Sequence, residues 1–272
     1  MRHDNGSAVT IGAYDGVHIG HRRVIEQVRR RAADAGLRSV VVTFDKNPAA
    51  VVNPASAPPR LTDVELKLEL LAETGVDQIL VLEFDAERAK EKAEDFVNEV
   101  LVTGLAARVV VVGDDFHFGN ERRGNVALLR LIGKEAGFSV EPVHLVSDAG
   151  AGEVVSSTRI RALIAKGELA EAAALLGRPH EVRGTVVVGD GAGAGRPPGL
   201  LVEVPSEILL PPPGEYVGSV GADAGESVAA RLVVTNRVGK APQRLEISGV
   251  EVPLARLAVP RVEGDVVRAR FG

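Results

Sequence analysis

Two histidines three residues apart, His18 and His21, follow a strand-like run that breaks at glycine in the stretch Val9-Thr-Ile-Gly-Ala-Tyr-Asp-Gly-Val-His-Ile-Gly-His21. Val9 to Ile11 reads as a buried strand, and from Arg22 onward the apolar residues Val24, Ile25, Val28 and Ala32 recur at helical spacing. The histidines therefore occupy a strand-to-helix turn. Gly12, Gly16 and Gly20 let the backbone approach a ligand closely, and the first helical turn offers unpaired N–H groups at the positive end of the helix dipole. Phosphate is the guest that such a turn suits. Imidazoles three apart share one face, so both can donate to phosphate oxygens and stabilise charge developing on a departing pyrophosphate. A bare His-x-x-His is more often a metal pair or two solvated histidines; the glycine spacing and the preceding strand reverse that preference here.

A second group with phosphate chemistry is Ser156-Ser157-Thr158-Arg159-Ile160-Arg161. Serine and threonine are good helix N-caps, and Ile160, Leu163, Ile164, Leu169, Ala172, Ala173 and Leu176 follow a helical period. A hydroxyl-capped helix start beside Arg161, whose guanidinium is a planar fork of donors, makes another phosphate cradle. An ordinary capped helix with a surface arginine accounts for this segment equally well in isolation, and the histidine turn tips the balance.

The elements that must position these groups alternate. Strands are expected at Val40–Phe44, Gln78–Leu82, Arg108–Val112 and Val140–Val146, and helices at Asp63–Thr74, Ala93–Leu101 and Asn125–Ala136. Such alternation implies an α/β, Rossmann-like domain, a parallel sheet wrapped by helices with ligands at the carboxyl ends of its strands. Past Gly177 the character changes. Arg183 to Val188 is β-like, Gly189 to Gly199 is rich in glycine and proline, and the remainder is short β-branched runs between turn signals, with no helix evident. No helix follows the glycines, so they read as a mobile loop rather than a dinucleotide loop. The expected organisation is residues 1–180 as the nucleotide-handling domain and 181–272 as a small antiparallel barrel or sandwich, joined through Leu176-Gly-Arg-Pro-His180.

Composition narrows the function classes. Cysteine is absent, which removes disulfides, thiolate catalysis and cysteine-zinc sites, and fits a reducing, cytoplasmic setting. No run is apolar enough to span a membrane, and the first residues lack the apolar core of a signal peptide. A net charge of -5 argues against broad nucleic-acid binding, Arg29-Arg30-Arg31 reads as a solvated helix end, and with aromatics at 3% there are few platforms for stacking bases. The sequence carries no sign of its oligomeric state.

Gly12-x-Tyr14-Asp15-Gly16-x-His18-x-Gly20-His21 resembles the nucleotide-binding signature of bacterial FAD synthetases, the adenylyltransferase half of bifunctional riboflavin kinase/FAD synthetase enzymes. Val110-Val-Val-Gly113-Asp-Asp115-Phe116-His-Phe118-Gly119 resembles that family's second strand-end motif, and Ser156-Ser157-Thr158 with Arg161 its triphosphate element. The likeness runs from about residue 8 to about residue 190, in the family's order and separation. It implies attack of a substrate phosphate on the α-phosphorus of a nucleoside triphosphate, with ATP and FMN as substrates, FAD and pyrophosphate as products, and Mg²⁺ bridging phosphates. In these terms His18, His21 and Arg161 are catalytic, while Gly12, Ala13, Tyr14, Asp15, Gly20, Gly113, Ser156, Ser157 and Thr158 bind nucleotide. Phe44, Lys46, Asn47, Pro48, Asp115, Phe116 and Phe118 are assigned to the substrate, with no protein metal site.

Several positions depart from the family pattern. Tyr14 replaces the usual phenylalanine, and Lys46-Asn47 stand where a proline and a histidine are common, although Asp45 to Pro48 also reads as a plain turn. Gly184-Thr-Val-Val, Gly195-Arg196, Gly199 and Pro213-Gly214-Glu-Tyr216 are traces of the kinase barrel, but Leu200-Leu201-Val202 stand in place of its Pro-Thr-Ala-Asn motif. The expectation is a degenerate barrel without kinase activity. Three functions stay open: FMN adenylyltransferase, a transferase using ATP or CTP with another small phosphate or phosphonate, and a non-catalytic flavin or nucleotide sensor.

Overall fold

The computed structural model describes residues 5–144, 154–187, 200–222, 227–235, 243–248 and 265–272. The glycine-rich loop expected at Gly189–Gly199, with Gly195, Arg196 and Gly199, lies outside the described residues, as does the end of the strand expected to reach Val146. The chain divides into two units, one of Met1–Pro58 with Lys67–Ser156, the other of Pro59–Leu66 with Ser157–Gly272.

The first unit is built on a parallel sheet. Its elements run β1 (Ser7–Ile11), α1 (Ile19–Ala35), β2 (Arg38–Phe44), α2 (Pro48–Val52), α3 (Val64–Ala72, counted here from Lys67, its first three residues belonging to the other unit), β3 (Gln78–Leu82) and α4 (Ala93–Phe96), which continues as a π-helical stretch over Val97–Gly104. Then come β4 (Ala107–Gly113), a short hairpin of β5 (His117–Phe118) and β6 (Gly124–Asn125), α5 (Val126–Ala136) and β7 (Ser139–Val143). The five sheet strands pair in parallel in the order β3-β2-β1-β4-β7. After β1 the chain builds toward β3, then returns to lay β4 against the other side of β1. The crevice at that reversal, outside the carboxyl ends of β1 and β4, is where such sheets hold ligands.

Alternation along the central strands explains the two layers. Val9, Ile11, Val40, Val42, Val110 and Val112 face a core closed by Phe96, Val97, Leu101, Leu129 and Phe138, while Ala8 and Val111 point oppositely onto Val24, Val28 and Ala32 of α1. Both faces are covered at the middle of the sheet, so β2 and β4 carry the valine runs Val40–Val42 and Val110–Val112, and Thr10 of β1 is buried as well. The helix expected from Asp63 begins at Val64 because the Asp63 carboxylate accepts from the Leu66 amide at 2.7 Å, an N-cap bond.

In the second unit, α6 (Ser157–Lys166) and α7 (Leu169–Leu176) precede β8 (His180–Val187), β9 (Leu200–Val204), β10 (Gly214–Ala222), β11 (Ser227–Val234), β12 (Gln243–Ser248) and β13 (Val266–Phe271). The helical period read across Ile160–Leu176 is two helices, divided at Gly167, which sits at φ +80° where a side chain would be strained. The six strands close into an antiparallel barrel, β10-β11-β12-β9-β8-β13. Its interior holds Val182, Val186, Val202, Val220, Leu232, Leu245, Val267 and Phe271, all buried.

Candidate active site

The histidine turn grows out of β1. The Gly12 amide donates to the Val42 carbonyl at 3.1 Å, and the chain then tightens, with positive φ at Tyr14 (52°), Gly16 (83°) and Val17 (39°). Glycine takes that conformation freely, whereas a β-branched, fully buried valine is strained there by about 1–3 kcal/mol. The strain is held by the Val17 amide bonding the Tyr14 carbonyl at 3.1 Å and by the Tyr14 hydroxyl, 2.7 Å from the Thr10 hydroxyl. Burial pushes the Tyr14 phenol far above its ordinary value, so it stays a neutral hydrogen-bonding group.

His18 is the N-cap of α1. Its Nδ1 accepts from the His21 amide at 3.3 Å, which leaves the proton of the neutral ring on Nε2, a donor directed by the cap. The two imidazoles stack with centroids 3.5 Å apart and planes 16° from parallel, and the Tyr14 ring meets His21 edge-on at 5.0 Å. Burial, with the neighbouring His18 adding to it, holds the His21 pKa well below its ordinary value. The His21 Nδ1 is buried without a hydrogen-bond partner among the described residues. A buried polar atom left open beside a stacked ring is the sort of group that an incoming anion completes. The donors on this turn are ring and backbone nitrogens, which suit phosphate oxygens; Mg²⁺ prefers oxygen ligands and fits as an ion carried on those phosphates. Among the described residues there is no group of three or more metal-ligating side chains.

Beside this turn, at the carboxyl ends of β1, β2 and β4, lies a cavity of about 640 Å³. Gly12, Ala13, Phe44, Asn47, Pro48, Phe116 and Phe118 line it, together with Phe84, Phe96 and the arginine-bearing segment around Arg88. Five of the seven phenylalanines, Phe44, Phe84, Phe96, Phe116 and Phe118, are thus gathered on one wall system. Phe44 and Phe84 meet edge-on at 5.2 Å, while Phe116 and Phe118 stack at 5.3 Å, 16° from parallel. A composition poor in aromatics is compatible with a stacking site when the few are concentrated.

Other expected site residues take different places. Asn47 caps α2, its Oδ1 accepting from the Ala49 amide at 3.1 Å, and Lys46 lies 3.8 Å from the Asp45 carboxylate; Lys46 and Asp115 are not among the residues lining the cavity. Asp15 is buried in the histidine turn, and Gly113 ends β4. Ser156 closes the first unit, whereas Ser157, Thr158 and Arg161 open α6 in the second, where the Arg161 Nε donates to the Pro59 carbonyl at 2.7 Å. Phe84 and Arg88 were not singled out from the sequence. Phe84 falls two residues past β3, a strand-end position where this type of sheet places ligand contacts, and that was the available signal.

A family model described as FAD synthetase matches residues 1–159. The chain belongs to the FAD synthetase family. Relatives include the bifunctional riboflavin kinase/FMN adenylyltransferase of Escherichia coli (strain K12), 38% identical over 188 residues, covering 69% of this chain and 59% of that protein. The protein of the same name from Listeria monocytogenes is 35% identical over 215 residues, 78% of this chain and 67% of the relative. The E. coli match thus spans about three-fifths of that protein. In solved structures, this FAD synthetase family member is similar to a crystal structure titled as a macrolide-efflux protein from Streptococcus pneumoniae, with TM-score 0.80 and 25% identity over 98% of this chain and 85% of that one. Among the described residues no helix is long and apolar enough to cross a membrane.

Proposed function

We propose that this protein transfers the adenylyl group of ATP to the phosphate of FMN, forming FAD and releasing pyrophosphate. The observation that carries the reading is continuity. Ile11, Gly12 and Ala13 wall the aromatic cavity and run directly into the turn bearing His18 and His21. An apolar, phenylalanine-rich cavity of about 640 Å³ has room for a flavin ring, and its edge meets groups suited to phosphate. The FMN phosphate oxygen attacks the α-phosphorus, a new P–O bond forms, and the bond to the β-phosphate oxygen breaks. His18 donates from Nε2, His21 and the first amides of α1 take up the charge on the departing pyrophosphate, and Ser157, Thr158 and Arg161 bind the β and γ phosphates. Mg²⁺ would travel on the triphosphate and neutralise its charge. Phe44, Phe84, Phe116 and Phe118 hold the flavin by stacking and exclude water.

The barrel is read as lacking riboflavin kinase chemistry. Where the family's threonine and asparagine would stand, the chain has Leu200-Leu201-Val202, and Val202 is buried in register with Val186 and Leu245. No hydroxyl or amide side chain is available at those three positions. The test is pyrophosphate release with Mg²⁺ across ATP and CTP, each offered FMN, riboflavin and a panel of small phosphates and phosphonates. Release with ATP and FMN, with FAD as the product and no FMN formed from riboflavin, is the expected result. Release only with another pair identifies a repurposed transferase, and binding without release identifies a sensor.

A further inference from the structure

We infer that the barrel positions Arg161, acting through the strap Pro59–Leu66. This rests on the reading of Arg161 as a triphosphate ligand. The strap belongs to the barrel's unit although the residues on both sides of it in sequence belong to the other. Its backbone is paired to the barrel: the Arg60 amide donates to the Glu207 carbonyl at 2.6 Å, and the Leu209 amide donates to the Arg60 carbonyl at 2.8 Å. The side chains repeat the attachment. The Arg60 guanidinium lies 3.0 Å from the Glu207 carboxylate, and Asp63 lies 3.6 Å from Arg183 of β8, with side-chain exposures of 17% and 11%. Leu61 and Thr62 between them are buried.

The segment that receives the strap is itself fixed. The His180 Nε2 bonds the Leu209 carbonyl at 2.8 Å, and the His180 ring stacks on Phe271 of β13. At the other end of the strap, the Pro59 carbonyl accepts from the Arg161 Nε at 2.7 Å. A guanidinium is planar, so anchoring Nε to a carbonyl sets the plane in which its two terminal nitrogens present their donors. A continuous set of bonds thus runs from the closed barrel through Leu209 and Arg60 to Pro59 and Arg161. An arginine side chain free in water samples many rotamers, and holding it ready removes that ordering from the reaction. The barrel acts here as a scaffold for one side chain, a role that needs no ligand of its own.

The test compares the full chain with two variants: Arg60→Ala/Asp63→Asn, which removes the Arg60–Glu207 and Asp63–Arg183 charge pairs, keeps Glu65 4.0 Å from Arg183 and leaves the Asp63 cap acceptor as an amide, and Arg60→Pro, which removes both the Arg60 guanidinium and the amide donor to Glu207. Two readouts are taken at a temperature where each variant is folded. In ¹⁵N spectra the Arg161 Nε–H signal is slow to exchange in the parent chain and exchanges like a free arginine in the variants. In kinetics, kcat/KM for ATP falls roughly tenfold or more while KM for FMN holds, and the loss disappears in an Arg161→Ala background. An Arg161 signal unchanged in both variants, or a loss that simply adds to Arg161→Ala, overturns the inference. The spectroscopic readout stands without turnover, so its failure is distinguishable from failure of the adenylyl-transfer reading.

Discussion

Gly20→Ala should harm catalysis far more than stability. Gly20 is the second residue of α1, where alanine would favour the helix by about 1 kcal/mol. A Cβ there would lie 3.2 Å from both Cε1 and Nδ1 of His18, and 3.6 Å from the Val155 carbonyl. The His18 ring must then move by a few tenths of an ångström, and neither direction is free. Toward His21 it compresses a stack already at 3.5 Å; away from it, it lengthens an Nδ1 to amide hydrogen bond already at 3.3 Å. Overpacking of this kind costs about 1–3 kcal/mol, partly offset by the helix gain, so net destabilisation is about 0–2 kcal/mol. A donor displaced by this amount should lower turnover roughly tenfold to a hundredfold. Pyrophosphate release and urea denaturation on the same preparation give both numbers. Turnover within about twofold of the parent chain would refute the argument that His18 is held in place by the space at Gly20.

His21→Ala should reduce turnover by about 10²–10³-fold, read by pyrophosphate release at saturating substrates. Because burial keeps His21 below its ordinary pKa of 6.5, the unfolded chain binds the extra proton first; stability is therefore full above that value and declines as pH falls through it, by at most about 1.4 kcal/mol per pH unit. His21→Gln should flatten that slope, as measured by denaturation between about pH 7 and about pH 5. Tyr14→Phe leaves the buried Thr10 hydroxyl without its partner and should cost about 1–2 kcal/mol in the same experiment. Phe116→Ala should weaken FMN binding by about 1–3 kcal/mol, roughly tenfold to a hundredfold, in a flavin fluorescence titration with ATP binding unchanged. Gly133→Ala, whose Cβ would meet the Phe138 carbonyl at 2.6 Å, should lose about 3 kcal/mol of stability while its folded fraction turns over normally.

The alternation of strands and helices was legible because β2 and β4 carry the doubly buried valine runs Val40–Val42 and Val110–Val112, while β1 buries even Ser7 and Thr10 among its apolar residues. The histidine turn was legible because glycines bracket it. What escaped the sequence depends on distant partners. Phe84 becomes a wall residue through its edge contact with Phe44, forty positions earlier, and no local pattern marks that pairing. The strap carries no periodic signal: Arg60 meets Glu207 across 147 positions, and the surrounding prolines read only as turn formers. Asn47, assigned from the sequence to the substrate, also has a local task, since its side chain caps α2. The open Nδ1 of His21 is likewise invisible in sequence, because it follows from the stacking of two rings and the burial around them.

The decisive measurement is FAD formation from ATP and FMN with Mg²⁺, followed by chromatography in the parent chain and in His21→Ala. The parent chain should yield FAD with one pyrophosphate for each FAD formed, and His21→Ala should be slowed by about 10²-fold or more. FAD formed at equal rates by both would contradict the role given to the histidine turn, and no FAD from the parent chain would contradict the reaction itself.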